Sequence, residues 1–402
     1  MSITRTAWVV LVVSVFSGWL HWVEASPFTP TDDAQVLERL PFRPSDPAAR
    51  QLREWRAEWM SSPDRFDLAA RLARGYIEQG RRNADPRYNG YAEATLTRWW
   101  KSPNPPTALL VLRATLSQSR HDFNGALADL TQVLKRDPDD PQAWVTQALI
   151  LQVQGEYQKS KESCFRLQRL STTLVTAACL AGAGSLSGQA EKSFDLLKKM
   201  VDQYSPPILG GVRGGNAEEQ LWARTLLAEI AARRGMPAAA EDQFRQAFLL
   251  KIHDPYLLGA YADFLLDQGR AKEVLPLLAD EMRADGLLLR LTLAEQTVHA
   301  DSFSQHRDAL RDRFAASRLR GDRVHQREES RFTLWLLHQP QEALKLAEEN
   351  WKVQREPWDA RVLLEAAQAA NNHAAAKTVL DWMAKTKIED VTLTKLKTEL
   401  EK

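Results

Sequence analysis

Residues 107–140, TALLVLRATLSQSRHDFNGALADLTQVLKRDPDD, and residues 141–174, PQAWVTQALILQVQGEYQKSKESCFRLQRLSTTL, carry one pattern at a spacing of 34. Ala114 recurs as Ala148, His121 as Gly155, Phe123 as Tyr157, Ala126 as Ser160, Leu130 as Cys164 and Val133 as Leu167. Small residues fall where two helices would cross, and large ones fall where a side chain would be buried between them. A turn residue stands between the two halves. The reading is a helix–turn–helix unit written twice, and self-similarity at this period marks a stacked array rather than one globular domain.

Followed outward, the period continues. Alanine marks the first helix of each unit at Ala73, Ala114, Ala148, Ala181, Ala228, Ala262 and Ala294. A turn residue follows seven positions later, at Gly80, His121, Gly155, Gly188, Gly235, Gly269 and Asp301. Glycine suits a helix end that needs positive φ. Mostly large residues then mark the second helix at Leu130, Cys164, Leu197, Phe244, Leu278 and Leu310. Asp140-Pro141 and Asp254-Pro255 each read as an N-cap followed by proline at the first helical position.

The unit resembles the tetratricopeptide repeat. That family has small residues at the eighth and twentieth positions, large ones at the fourth, eleventh and twenty-fourth, and proline near the thirty-second. Thr107–Asp140 places Leu110, Ala114, Ala126, Leu130 and Pro138 in this pattern, with Ser117 departing from it at the eleventh position. The resemblance spans about residues 66–385 and is strongest over Thr107–Met200 and Gln220–Leu288. It implies an all-α solenoid of about eight or nine helical hairpins whose first helices line a concave groove for a peptide or helix. Equivalent first-helix positions make Gln118, Gln152, Trp222, Tyr256, Glu229 and Asp263 the groove candidates. Two glutamines one repeat apart can serve both the donors and the acceptors of an extended backbone, and aromatic residues are natural anchors. The competing reading has Trp222 packed beneath the neighbouring loop and the glutamines merely solvated. The family's clamp for a chaperone's terminal carboxylate needs Lys, Asn and Arg, whereas Val111, Thr115, Val145 and Leu149 stand here.

The remaining segments divide the chain. Residues 1–25 read as a signal peptide, with Arg5 before the uncharged stretch Ala7–Leu20 and with Val23 and Ala25 before a cleavage point. The stretch is shorter than the roughly 20 residues that span a bilayer, which favours cleavage over a retained anchor. Residues 26–61 are an extended lead-in and a capping helix carrying Leu52, Trp55 and Trp59 on one face. Residues 62–203 form a first lobe, and 204–219 a Gly- and Pro-rich elbow. Residues 220–387 form a second lobe, and 388–402 a polar tail.

Chemistry is sparse. The sequence has no His-Glu-x-x-His, paired-cysteine metal motif, nucleophile elbow or phosphate loop, so catalytic residues, metal and cofactor are each read as none. Gly182–Gly188 has a dinucleotide-like look but sits in a first helix and its turn. Gly210–Gly215 with Arg213 could form an anion nest, although a flexible elbow is the simpler reading. Residues 307–331 hold eight arginines against five acids and read as a solvated helix face, with Asp308–Arg311 and Glu328–Arg331 spaced to pair. Cys164 and Cys179 lie symmetrically about a turn, which suits either a disulfide or two small buried residues. Lys plus Arg (53) balances Asp plus Glu (52), so a nucleic-acid partner is not indicated. The reading is an exported, periplasmic, non-catalytic scaffold that binds a protein partner. The alternative is an enzyme or small-ligand-binding protein using a cleft at the elbow.

Overall fold

A computed structural model describes Asp32 and residues 46–204, 216–322 and 324–401. Residues 1–49 and 50–402 are two units. Of the first, the described part is Asp32 and the start of α1 (Pro47–Ser61), where the Asp46 side chain accepts a hydrogen bond from the Ala48 amide at 2.9 Å. The signal segment and the lead-in lie largely outside the described residues.

The described residues of 50–402 are mostly helical and include no strand. Among them, nine helical pairs follow α1. The first four are α2 (Phe66–Asn83) with α3 (Arg87–Trp100), α4 (Thr107–Ser119) with α5 (Phe123–Arg136), α6 (Pro141–Val153) with α7 (Tyr157–Arg166), and α8 (Thr173–Ser185) with α9 (Ala190–Tyr204). Then come α10 (Ala217–Arg233) with α11 (Pro237–Phe248), α12 (Pro255–Asp267) with α13 (Ala271–Leu278), and α14 (Asp285–Val298) with α15 (Phe303–Leu319). The last two pairs are α16 (Gln326–Trp335) with α17 (Pro340–Trp351) and α18 (Pro357–Ala369) with α19 (His373–Thr386), and α20 (Val391–Leu400) follows them. Each first helix from α4 to α18 touches the next first helix, which makes an inner layer, while the second helices stand outside it. This is an α-solenoid.

The repeat marks explain the packing. All seven marker alanines and all six second-helix markers are buried. Proline at the start of α6 and α12 is preceded by Asp140 and Asp254, whose side chains accept from Ala143 and Leu257 amides at 2.9 Å. Five of the seven turn marks adopt positive φ: His121, Gly155, Gly188, Gly235 and Gly269. The other two do not. In the first pair α2 continues past Gly80 to Asn83, and Ala84 takes the left-handed position (φ 48°). In the seventh pair His299 (φ 56°) ends α14, two residues before Asp301.

Two segments differ from the sequence reading. The expected polar tail contains α20, which buries Leu393, Leu396 and Leu400, and α20 packs on α18. The boundary expected between two lobes is bridged by one apolar cluster, with Leu197 and Val201 on one side of residues 205–215 and Leu221 and Leu227 on the other. Of the expected elbow, residues 205–215 with the Gly-rich nest lie outside the described residues, whereas 217–219 are helical, forming the first turn of α10 behind the Asn216 cap. At the other end, Leu52 and Trp55 of α1 lie directly over Gly75, where a Cβ would come within 2.7 Å of Leu52.

The array curls enough to touch itself. The Arg355 amide donates to the Val153 carbonyl at 2.8 Å, and the Tyr157 hydroxyl donates to the Arg355 carbonyl at 3.1 Å. Pair nine therefore rests on the turn of pair three.

Cys164 of α7 and Cys179 of α8 are disulfide-bonded, with Cα atoms 5.6 Å apart. Both lie in a buried cluster with Ala148 and Leu167, against which Trp222 packs. The bond closes a loop of 15 residues, for which chain entropy gives a stabilisation of about 3 kcal/mol. The double variant C164A/C179A should melt at a lower temperature by circular dichroism. Reductant should lower the melting of the parent protein and leave the variant unchanged. Equal melting curves for the two proteins would remove the stapling role.

Candidate functional site

The inner layer divides into a saturated half and an open half. In the saturated half, Asp263 of α12 is 3% exposed and stands between two guanidiniums. Its carboxylate meets Arg290 Nη2 at 2.6 Å and Arg331 Nη1 at 2.7 Å. Burial works against its charge, and the two arginines overcome this, holding the carboxyl below its usual range. Asp263 was expected on an open groove. Curvature brings α16 across to it instead, so it is engaged internally.

The same curvature joins elements three pairs apart. Arg361 of α18 makes a two-pronged contact with Asp267 of α12, both bonds at 2.8 Å, and reaches Glu365 at 2.7 Å. The Trp358 ring lies between Arg331 and Arg361, each 4.3 Å from its centroid. Arg327 contacts Glu328 at 3.2 Å and Glu356 at 3.0 Å. A small crevice remains between Arg290, Arg327, Glu328, Arg331 and Trp358. The expected Glu328–Arg331 pair is not formed, because Arg331 is drawn inward to Asp263. The Asp308–Arg311 pair does form, at 3.2 Å on the exposed face of α15. The arginine-rich segment is thus solvated along α15 and buried along α16.

Glu229 and Tyr256, expected as separate groove positions, touch each other. The Tyr256 hydroxyl donates to Glu229 Oε1 at 2.8 Å. Burial, only partly offset by Arg233 and the Tyr256 hydrogen bond, pushes the Glu229 carboxyl up to about 7. Tyr256 keeps 64% of its surface accessible, yet the surrounding wall and the Glu229 charge raise its hydroxyl well above 10. Burial also raises Asp359 to about 6, against the pull of Arg327. Trp222 is half-buried against the disulfide cluster and the main core.

The open half lies on α4 and α6. Val111, Thr115, Gln118, Val145, Leu149 and Gln152 are all half-buried there. Among the described residues, neither the Gln118 nor the Gln152 side-chain amide has a hydrogen-bond partner. Gln152 lies across Gly182 of α8, where an added Cβ would approach its Oε1 to 2.7 Å. The glycine of the dinucleotide-like segment therefore serves close helix packing. Sequence reasoning missed Arg290, Arg331, Arg361 and Trp358. One signal was available: Arg290 interrupts the apolar run Leu287–Leu293, and a lone charge in such a run needs a buried partner. No cluster of metal-ligating side chains occurs among the described residues.

No protein-family model matches the chain, and no curated protein matches it in sequence. Among solved structures the chain is similar to the crystal structure of the P58(IPK) TPR domain, at 16% identity over 83% of this chain and 97% of that chain, with a TM-score of 0.23. A superposition this loose carries no argument. The assignment of an α-solenoid of helical hairpins rests on the nine helical pairs among the described residues and their inner layer.

Two outcomes follow. The carboxyl of Glu229 is harder to ionise in the folded chain, so its ionisation lowers stability as pH rises from 4.5 through 7. E229Q should melt with the parent protein near pH 4.5 and above it at about pH 8.5; parallel curves across this window would remove the effect. D263A leaves Arg290 and Arg331 buried without their shared carboxylate, a loss of about 3–5 kcal/mol by the usual cost of a broken buried pair. Chemical denaturation should show it, and a variant as stable as the parent protein would show the pairs to be dispensable.

Proposed function

We propose that the protein is a non-catalytic protein-binding scaffold, exported to the periplasm, that holds a segment of an envelope or secretion-machinery partner against the inner face of α4 and α6. The observation that carries this reading is the pair of unengaged amides at Gln118 and Gln152, one repeat apart beside Val111 and Leu149. An extended peptide offers alternating donors and acceptors with apolar side chains between them, and this surface is complementary to that chemistry. The charged groups of the other half are already paired with one another, which leaves them little to offer a partner. A buried disulfide suits an oxidising compartment. No helix among the described residues is long and apolar enough to cross a membrane.

Photo-crosslinking in intact cells tests the site. A benzophenone residue at Gln118 or Leu149 should capture one protein, and the same residue at Lys161 or Lys198, on second helices, should not. Capture from the outer positions alone would move the partner to the convex face and overturn the groove assignment. Capture from none of the four would overturn the scaffold reading in this half.

A further inference from the structure

We propose that α16–α20 act as a clasp: they close the array by docking on the rim of pairs two to five, and their release opens the inner face. The clasp builds on the proposed groove for its purpose, but it is a property of the chain alone and is tested without a partner. The seam consists of turn segments meeting turn segments. Gln354 Nε2 donates to His121 Nδ1 at 3.1 Å, across pairs two and eight. The Arg355 amide and carbonyl are held by Val153 and Tyr157. Glu389 Oε1 accepts from the Ala190 amide at 2.9 Å, so a carboxylate from the far end of the chain caps the start of α9. Gly155, Gly188 and Gly235 present bare backbone to Arg355, Lys387 and Val391, with built Cβ positions 3.4, 3.1 and 3.1 Å from their nearest atoms.

Two features make this contact separable. The clasp has its own apolar cluster, built from Leu334 through Leu400, and the rim adds only Tyr157 and Leu186 to it. The remaining seam contacts named above are side chains resting on three glycines and hydrogen bonds that water can replace when the seam parts. At the joint behind the clasp, α15 meets α16 through Phe314 on Phe332, ring centroids 5.3 Å apart, and Arg318 with Glu329. Phe332 of α16 and Leu336 just after it also lie in the main apolar core. Closure also draws Arg331 and Arg361 onto Asp263 and Asp267. Opening would therefore uncover charged groups of both signs along α12, α16 and α18. Opening at the seam leaves the cluster from Leu334 to Leu400 intact, and such local opening is the behaviour expected of a boundary between apolar clusters.

Hydrogen exchange on the full chain tests the clasp, with the amides of Arg355 and Ala190 as seam reporters. The variant Y157F/Q354A/E389A should exchange at least about tenfold faster in peptides covering 353–357 and 187–192, with α17 and α18 unchanged and a larger radius by small-angle scattering. Unchanged exchange, or acceleration spread evenly through α16–α20, would overturn the proposal. The second shows that the block unfolds rather than swings. The variant Q189C/E389C, joined by a short bis-maleimide, should slow exchange in both peptides below that of the parent protein. If bridging slows nothing, the native seam does not open. Photo-capture at Gln118 or Leu149 reads the groove separately, so either idea can fail alone.

Discussion

A helical hairpin of this length has one apolar face too many: its two helices cover each other and leave a flank that must be buried against the next pair. Everything else in the molecule follows from that need. Alanine at the crossing points, from Ala73 to Ala294, lets the helices approach closely, and each of these side chains is buried. Apolar clusters pass from pair to pair, the largest from Leu174 to Leu336. The same need makes both ends a problem. It is met by Leu52 and Trp55 on Gly75 at one end, and by Leu393, Leu396 and Leu400 of α20 at the other.

What was legible in the sequence was whatever each pair requires of itself. Crossing alanines, caps at Asp140 and Asp254, and positive-φ turns are local steric demands, and they recur with the chain's own period. The seventh to ninth pairs were harder to read because their inner residues answer to partners far along the chain. Arg331 is set by Asp263, 68 residues away, and Arg361 by Asp267, 94 residues away. A three-residue spacing therefore suggested Glu328–Arg331 where tertiary geometry prevailed. In α20 the spacing of Leu393, Leu396 and Leu400 was visible, but lysines and threonines between them gave the segment the composition of a tail. Of the candidate site, the glutamine positions were readable from register alone. That Glu229 meets Tyr256, and that Asp263 is buried, depends on how far the array curves.

The two halves of the inner face do different physical work. Buried ion pairs add little net stability over apolar packing, because desolvation offsets most of the attraction. Their geometry is demanding, however. One carboxylate shared by Arg290 and Arg331, with Trp358 4.3 Å from both Arg331 and Arg361, specifies the separation of α12, α16 and α18 in the closed array. These charges thus fix curvature. The α4–α6 half has no such web, and its glutamine amides can donate or accept as a ligand requires.

Curvature in turn explains why the seam left no separate trace in the sequence. Gly155 and Gly188 are needed twice over. Their φ values of 79° and 71° end a first helix, and their missing Cβ atoms admit Arg355 and Lys387 from nearly 200 residues further on. A residue already demanded by the local turn cannot also announce a distant contact. His121 stands at the equivalent position of pair two with a side chain, and there the approach is made by a hydrogen bond from Gln354 instead of by bare backbone. Burial, with Arg327 nearby, pushes that imidazole down to about 4, so it stays neutral and its Nδ1 remains free to accept. The departure from glycine at this one turn is therefore consistent with the seam, because it replaces close backbone approach with a specific polar contact.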